Sequence, residues 1–248
     1  MTEVTHDQLL GERLQLTQLP RGHRVGTDAV LLAAMTADIN ATDIVDVGAA
    51  TGAIGLMLGL KNTKAHLVFI EQDKQLAELC LKNVSQNGFS ERAEVINADI
   101  FDKNSLKALG IKAGIADLVV TNPPFVEEGE VRLSPDIAKQ KAHALPKGGL
   151  DLWIKAAAYL LRAKGTMALI QRADKLLECL EAFPKDFGAF RIRMIHPREG
   201  EAAVRVVIRA IKGRKSPTII EAPLYLHGSD GKFTLEAEVM HRGDWSAQ

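Results

Sequence analysis

One four-residue segment carries groups suited to activating an amine. A strand-like run over residues 117–121 leads directly into Asn122, Pro123, Pro124 and Phe125. Each proline fixes its own backbone angle and restricts the residue before it, so the strand must end and its polar groups are held rigidly. We expect the Asn122 side-chain oxygen and the Pro123 carbonyl to accept the two hydrogens of a planar amine, which frees its lone pair, while Phe125 stacks on the ring. Pro124 is expected to line the same amine-binding site.

A second segment has the composition of a ligand-binding turn. Asp46 ends an apolar run and is followed by Gly48 and Gly52 in the sequence Asp-Val-Gly-Ala-Ala-Thr-Gly. Glycines at a strand-to-helix turn let a ligand approach the backbone, and the amides of the helix N-terminus then face it. Ala50 stands where a dinucleotide fingerprint has glycine, so Asp46 favours a cofactor with a cationic amino-acid moiety instead. We expect Ala50 to be tolerated if its backbone is not left-handed.

Acidic residues also end the next two predicted strands. Glu71 lies about 20 residues beyond the glycine turn, where a carboxylate can accept hydrogen bonds from ribose hydroxyls. Asp99 follows the third strand in Asn-Ala-Asp-Ile, so its carboxylate could accept from an adenine amino group while Ile100 packs on the ring. One acid at each of three successive strand ends therefore predicts an adenosine-containing cofactor.

The elements that position these residues follow a regular alternation. Predicted strands cover residues 44–47, 66–70, 94–97, 117–120, 166–170, 190–195 and 204–211. Helical segments are predicted at 27–35, 53–60, 74–84, 150–161 and 173–183. Apolar strands separated by helices imply a parallel sheet that is covered on both faces. The last two strands have only a short connection, which requires an antiparallel pair. The predicted fold is therefore α/β and doubly wound, with a mostly parallel seven-stranded sheet and a C-terminal antiparallel hairpin.

The composition excludes several classes of protein. The chain has 248 residues, of which 46% are hydrophobic, and its 31 Lys and Arg residues equal its 31 Asp and Glu residues. No apolar run approaches the roughly 18 to 20 residues that cross a bilayer, and the polar N-terminus lacks a secretion-signal pattern. Cys80 and Cys179 lie among Leu and Ala, where a thiol behaves as a small buried hydrophobe. We therefore expect a cytoplasmic protein with no metal site and no membrane segment.

Taken in order, these motifs resemble those of a known superfamily. The glycine turn after Asp46, then Glu71, Asp99 and Asn-Pro-Pro-Phe, are similar to the motifs of class I, Rossmann-like methyltransferases that use S-adenosylmethionine to methylate exocyclic or amide nitrogens. The resemblance covers about residues 40–211. Residues 23–32, His-Arg-Val-Gly-Thr-Asp-Ala-Val-Leu-Leu, resemble more narrowly the bacterial tRNA(Val) adenine-N6 methyltransferase family. That resemblance implies an adenine beside the tRNA anticodon as the target.

The resemblance also implies an organisation of the chain. In the narrower family the segment before the main domain helps to close the cofactor site, which makes Thr27 and Asp28 candidate cofactor contacts. Residues 1–40 then form an N-terminal extension, residues 41–215 the methyltransferase domain and residues 216–248 a C-terminal extension. The sequence of that last extension indicates short strands or loop. The long polar segment over residues 126–149 is typical either of a lid or of a solvent loop.

A local excess of basic residues supplies candidates for RNA docking. Between residues 185 and 215 basic residues outnumber acidic ones, and such a patch can bind phosphate even in a chain without net charge. Strand alternation places Arg191 and Arg193 on one face. The RNA-docking candidates are Arg21, Arg24, Arg191, Arg193, Arg205, Arg209, Lys212, Arg214 and Lys215. A solvated hairpin and loop is the alternative.

Other functions stay open at this point. Phe125 replaces the tyrosine that is common in the adenine branch, and phenylalanine also occurs in relatives that methylate guanine N2 in ribosomal RNA. Protein glutamine methylation uses the same Asn-Pro-Pro chemistry on a side-chain amide. A non-catalytic RNA-binding protein would explain the Ala50 substitution, and an NAD oxidoreductase would leave Asn-Pro-Pro-Phe unexplained. The sequence leaves the oligomeric state undetermined.

Overall fold

The computed structural model describes residues 3–22, 24–125 and 149–245. Its strands are β1 (Thr5–Leu9), β2 (Leu14–Gln18), β3 (Asp43–Val47), β4 (His66–Glu71), β5 (Ala93–Asn97), β6 (Ala116–Thr121), β7 (Leu161–Arg172), β8 (Phe187–His196), β9 (Arg205–Lys212), β10 (Ile219–Ile220) and β11 (Leu224–Tyr225). Its helices are α1 (Thr27–Ala34), α2 (Ala53–Lys61), α3 (Lys74–Gln86), α4 (Lys103–Ala108), α5 (Gly149–Leu160), α6 (Leu176–Ala182) and α7 (Leu235–Arg242). Most of the long polar segment predicted at 126–149 lies outside the described residues.

A nine-stranded sheet runs through the described chain. Five strands pair in parallel in the order β5, β4, β3, β6, β7. Next to β7, β9 and then β8 add antiparallel strands, and the two-residue strands β10 and β11 both pair with β8. The predicted doubly wound α/β class with its terminal antiparallel hairpin is confirmed. The expected seven strands are all present, and β10 and β11 raise the number to nine.

The order of the strands reverses between β3 and β6. From β3 the chain moves outward to β4 and β5, and then returns to place β6 on the other side of β3. Two connections that leave in opposite directions open a crevice beyond the carboxyl ends of these strands, where open α/β sheets bind ligands. Asp46 is near the end of β3 and Asn122 directly follows β6, so both lie at this crevice.

Separate hydrophobic cores cover the two faces of the sheet. Successive strand residues point to opposite faces: Ile44 packs in the first core with α1 and α2, whereas Val45 packs in the second core with α5. Phe69, fully buried in the first core, contacts the helix that follows the glycine turn. Because both faces are covered, the central strands are apolar along their whole length, which explains why the sequence pattern predicted them well.

The N-terminal segment forms a hairpin that the sequence pattern did not predict. β1 and β2 pair antiparallel, and fully buried Asn83 of α3 holds β2. Its Oδ1 accepts from the Thr17 N–H at 2.7 Å, and its Nδ2 donates to the carbonyls of Thr17 at 3.0 Å and Thr51 at 2.9 Å. One amide side chain therefore joins the N-terminal hairpin to α3 and to the glycine turn.

The C-terminal extension contains a helix, which corrects the expectation of short strands or loop. The Thr234 side chain caps α7 by accepting from the Ala237 N–H at 3.3 Å, and Gly243 ends it in a left-handed conformation. Arg13 near β2 pairs with Asp244 at 3.1 Å, so the two ends of the described chain meet. The division into residues 1–40, 41–215 and 216–248 stays a prediction.

Within residues 3–22, 24–125 and 149–245, no helix is both long and apolar enough to cross a membrane. The same residues contain no group of three or more His, Cys, Asp or Glu side chains that could hold a metal ion.

We expect Asn83→Ala to lower the free energy of unfolding by about 2–4 kcal/mol, because it leaves the buried N–H and carbonyl of Thr17 without partners. Asn40→Ala is the matched control, since Asn40 is exposed between α1 and β3; it should change stability by less than about 0.5 kcal/mol. Urea unfolding followed by circular dichroism measures both. Equal stability of the two variants would contradict the structural role of Asn83.

Candidate functional site

The site is organised by the register of three neighbouring parallel strands. Asp46 lies opposite Val120 of β6, so the turn that follows β3 lies beside Asn122. On the other side, Val47 lies opposite Ile70 of β4, which brings Glu71 to the same edge. The structure thus brings together the acids and the amide that the sequence placed at separate strand ends.

Asp46 is a buried carboxylate with one oxygen in use. It is 1% exposed, and its Oδ2 accepts from the Gly55 N–H at 2.9 Å. Among the described residues, its Oδ1 has no hydrogen-bond partner. Burial raises the pKa of Asp46 to about 7, although the Gly55 N–H lowers it, and the nearby Glu71 charge raises it further. A cationic group next to Oδ1 would favour the ionised form.

Glu71 holds the glycine turn from the neighbouring strand. It is 7% exposed; its Oε2 accepts from the Ala50 N–H at 2.8 Å and its Oε1 from the Asp73 N–H at 2.8 Å. A carboxylate accepts up to about four hydrogen bonds, so these two are compatible with the predicted ribose contact. Glu71 therefore has a structural task that the sequence did not reveal.

Asp99 and Ile100 lie one strand further out, after β5. Asp99 is exposed and its Oδ1 accepts from the Phe101 N–H at 2.9 Å. Ile100 is 5% exposed and belongs to the second core. The predicted contacts with an adenine ring stay predictions at both positions.

Both predicted cofactor glycines are required by packing as well as by backbone conformation. Gly48 has φ 68° and Gly52 has φ 86°, a left-handed region in which other residues are strained. A Cβ at Gly48 would lie 2.8 Å from the Trp153 ring, and a Cβ at Gly52 would lie 2.7 Å from the Cys80 sulfur. In the sequence, only the close approach of a ligand predicted these glycines; the packing of Trp153 and Cys80 against them became visible in the structure.

Ala50, between these glycines, is left-handed as well, with φ 49°. From the sequence, alanine was expected to be tolerated only if its backbone were not left-handed. This condition is not met. The Ala50 N–H is nevertheless bound to Glu71, and this hydrogen bond holds the residue in its strained conformation.

The end of β6 is fixed by side chains. Thr121 Oγ1 donates to the Val47 carbonyl at 2.7 Å and accepts from Trp153 Nε1 at 2.9 Å. Directly after it, the Asn122 Oδ1 atom is buried and has no partner within the described chain. Pro123 is buried, and Pro124 and Phe125 are partly buried. The turn therefore contains an amide oxygen without a partner in the described chain, three residues before an aromatic ring. The predicted amine-binding role of Asn122, Pro123, Pro124 and Phe125 stays a prediction.

The N-terminal candidates lie on the Phe125 side of the site. Asp28 Oδ2 accepts from Arg205 Nε at 2.9 Å, and the Arg205 guanidinium carbon lies 4.6 Å from the centre of the Phe125 ring. Thr27 Oγ1 lies 3.4 Å from His241 Nε2 of α7. The predicted cofactor contacts of Thr27 and Asp28 stay predictions.

Most of the RNA-docking candidates on the C-terminal strands have partners inside the chain. Arg191 and Arg209 both pair with Glu221, at 2.5 and 2.8 Å, and Arg193 pairs with Glu236 at 2.5 Å. Burial raises the pKa of Glu221, but the two guanidinium groups outweigh this and hold it below its ordinary value. These three arginines anchor the C-terminal extension to the sheet.

The remaining basic candidates differ in exposure. Lys212 Nζ donates to the carbonyls of Ala158 at 3.0 Å and Leu161 at 2.9 Å. Arg214 and Lys215 are exposed, and the described part of the chain provides no carboxylate within ion-pair distance of either. These two residues have the exposure that a phosphate contact needs, but they follow the end of β9 and so lie at the edge of the sheet opposite Asn122.

The sheet order is that of a Rossmann-like methyltransferase fold. The model of the methyltransferase small domain family matches residues 24–192, and the chain belongs to this family. The predicted methyltransferase class is thereby confirmed. S-adenosylmethionine is the cofactor that this membership implies.

Individual proteins with known names are also similar to this chain. A Porphyromonas gingivalis protein named tRNA1(Val) (adenine(37)-N6)-methyltransferase is 33% identical over 169 residues, which cover 66% of this chain and 65% of that protein, just under two thirds. An Aeromonas hydrophila protein of the same name is 30% identical over 217 residues, 85% of each chain. The crystal structure of a predicted O-methyltransferase from Agrobacterium tumefaciens has a TM-score of 0.72 at 30% identity and covers 89% of this chain and 98% of that one.

We expect the affinity for S-adenosylhomocysteine to depend on the pH through Asp46. If the cationic amino group of S-adenosylhomocysteine binds ionised Asp46, then binding below pH 7 must release the proton of the Asp46 carboxyl. The affinity should therefore rise about tenfold per pH unit up to about pH 7 and then level off. In the free protein the same shift lowers stability as the pH rises from about 4 to about 7, because the folded chain holds the proton more tightly. Calorimetric titration between about pH 5.5 and 8.5 measures the affinity.

Asp46→Asn is the control for this titration, because an amide oxygen can still accept from the Gly55 N–H. It should weaken binding and abolish the pH dependence. A wild-type affinity that stays constant over the same range would show that Asp46 does not bind the cofactor as a carboxylate.

We expect Ala50→Gly to stabilise the protein by about 0.5–1 kcal/mol, because glycine adopts the left-handed conformation without strain. Ala53→Gly is the matched control: Ala53 begins α2 in the right-handed region, where glycine is less stable than alanine by about 1 kcal/mol. Thermal unfolding should therefore shift in opposite directions for the two variants. A lower melting temperature for Ala50→Gly would contradict the left-handed assignment.

Proposed function

We propose that the protein transfers the methyl group of S-adenosylmethionine to the exocyclic N6 amine of an adenine in tRNA, next to the anticodon. The observation that carries the proposal is the buried Asn122 Oδ1, which has no partner within the described residues and lies at the end of β6 beside Pro123 and Phe125. A buried amide oxygen without a partner is costly, so its presence at this crevice favours a substrate that donates a hydrogen bond there.

The described residues fit the cofactor. Asp46 Oδ1 is a second buried oxygen without a partner in the described chain, and we assign it to the cationic amino group. Glu71 is assigned to the ribose hydroxyls, and Asp99 with Ile100 to the adenine. Thr27 and Asp28 remain candidates for closing this site. When bound, the cofactor supplies an electrophilic methyl group on a sulfonium.

The residues after β6 would act on the acceptor. Asn122 Oδ1 and the Pro123 carbonyl accept from the two amine hydrogens, which favours a pyramidal nitrogen with its lone pair directed outward. Phe125 stacks on the base, which contributes about 1 to 3 kcal/mol, and Pro124 lines the same surface. Transfer is an in-line displacement, so the protein contributes positioning and polarisation. The extra proton can leave to water, and no general base is required.

The RNA target is supported by the relatives and by charge. The P. gingivalis and A. hydrophila proteins are both named for adenine N6 methylation of tRNA. We assign Arg214 and Lys215 to phosphate contacts at the edge of the sheet opposite Asn122, so they would bind a part of the RNA distant from the methylated base. Lys212, beside them, is bound to two carbonyls. Arg191 and Arg193 would contribute only if RNA binding displaced Glu221 and Glu236. The proposed reaction belongs in the cytoplasm, as the sequence analysis expected.

We expect Asn122→Ala to reduce methyl transfer at least about 100-fold, as removal of a polarising hydrogen-bond partner does in other enzymes, while leaving S-adenosylhomocysteine affinity within about threefold. The measurement is transfer of labelled methyl to unmodified tRNA and to ribosomal RNA, followed by nucleoside mass spectrometry. Asn40→Ala, at the opposite end of the sheet, should keep wild-type activity.

The position of the label decides between the acceptor classes. Label in N6-methyladenosine from tRNA supports the proposal. Label in guanosine from ribosomal RNA would retain the chemistry but reject the target, and label only in protein amides would reject RNA altogether. Equal loss of transfer and cofactor binding in Asn122→Ala would reject the acceptor role of Asn122.

A further inference from the structure

Arg205, the first residue of β9, lies where three parts of the chain meet. Its Nε donates to Asp28 Oδ2 of α1 at 2.9 Å, and its Nη1 donates to the Val204 carbonyl at 3.0 Å. Its guanidinium carbon lies 4.6 Å from the centre of the Phe125 ring. The side chains of Arg205 and Asp28 are 28% and 22% exposed, so most of this contact is shielded from water.

The topology explains why a residue of β9 reaches the acceptor site. β7 runs parallel to β6, and β9 runs antiparallel to β7. The first residue of β9 therefore lies at the edge where β7 ends, and Arg205 is paired in register with Arg172, the last residue of β7. This is the same edge at which Asn122 follows β6.

The contact has the properties of a restraint on the ring. A guanidinium over an aromatic face is attracted by the ring quadrupole, more strongly when water is excluded. The ion pair with Asp28 and the bond to the Val204 carbonyl hold the guanidinium itself in place. Because the two prolines already fix the backbone before Phe125, a fixed guanidinium leaves the ring little freedom.

We infer that Arg205 is a positioning residue for the acceptor base: it covers one face of Phe125 and holds the ring so that the opposite face stacks on the base. This inference rests on the proposed function. Asp28 acts through Arg205, which assigns it to the acceptor side of the site, whereas the family resemblance placed it at the cofactor. The N-terminal segment thereby contributes to base stacking.

A double-mutant cycle tests this coupling. Arg205→Gln should lower kcat/KM for the RNA substrate about tenfold, with S-adenosylhomocysteine affinity unchanged. Phe125→Leu should also lower kcat/KM, and adding Arg205→Gln to it should have no further effect. Arg205→Lys, which keeps the charge without the planar group, should have a kcat/KM between those of the wild type and Arg205→Gln. Asp28→Asn should act in the same direction as Arg205→Gln and should not add to it.

Arg198→Gln is the matched control, since Arg198 pairs with Glu201 on the exposed turn between β8 and β9; it should leave kcat/KM unchanged. An undiminished Arg205→Gln effect in the Phe125→Leu background would mean that Arg205 acts on the substrate directly, and it would overturn the inference. A rise in kcat/KM would mean that the guanidinium occupies the place of the base, which would overturn it as well.

A second measurement is independent of the reaction. Fluorine NMR of protein labelled with 4-fluorophenylalanine, with the ring at 125 assigned by Phe125→Leu, reports the environment of that ring. Its resonance should move in Arg205→Gln and in Asp28→Asn but not in Arg198→Gln. An unchanged resonance would overturn the inference even in an active enzyme. Failure of the proposed function would give a different result: the wild-type protein would transfer no methyl group to any RNA.

Discussion

The in-register parallel pairing of β3 with β6 is the constraint on which the site depends. Val47 lies opposite Thr121, and the Thr121 hydroxyl bonds to the Val47 carbonyl, which ties the two strands together where both end. Since side chains alternate along a strand, a slip of one residue would send Asp46 to the opposite face. Asp46 and Asn122 therefore lie at the same edge of the sheet because the central strands have a single register.

A second set of interactions ties the ends of the chain to this sheet. Glu221 accepts from two arginines of the neighbouring strands, and Asp38 pairs with one of them, Arg209, at 2.9 Å. A single exposed pair contributes little, about 0–1 kcal/mol, but a shared carboxylate between two restrained guanidinium groups also fixes geometry. Most of the arginines of β8 and β9 therefore form ion pairs within the protein. The net charge of the chain could not reveal this.

The sequence predicted the central fold because strands buried on both faces are apolar throughout and are separated by helices. The same logic placed Asp46, Glu71 and Asn122 at strand ends, where a parallel sheet brings them together. Three elements escaped it: the N-terminal hairpin, the six-residue helix α4 (Lys103–Ala108) and α7. The N-terminal hairpin (Thr5–Gln18) is mostly polar, and a carboxamide on a distant helix holds it; α7 (Leu235–Arg242) is short and largely exposed.

Contacts between residues distant in the chain were the other limit of the sequence argument. Arg205 and Phe125 are 80 positions apart, and only the antiparallel return of β9 brings them together. The sequence did contain a usable signal: in an antiparallel strand next to the parallel set, the first residue lies at the ligand edge. Backbone strain at Ala50 had no such signal, because its left-handed conformation depends on the neighbouring strand through Glu71.

The packing of Trp153 under the glycine turn gives the molecule an internal optical probe. The chain has two tryptophans: Trp153 touches the Gly48 backbone and bonds to Thr121, whereas Trp245 bonds to the Met240 carbonyl near the C-terminus. Indole emission responds to the polarity and hydrogen bonding around the ring. Fluorescence of a protein that retains only the first indole would therefore follow the cofactor turn without any attached dye, in real time and at micromolar protein concentrations.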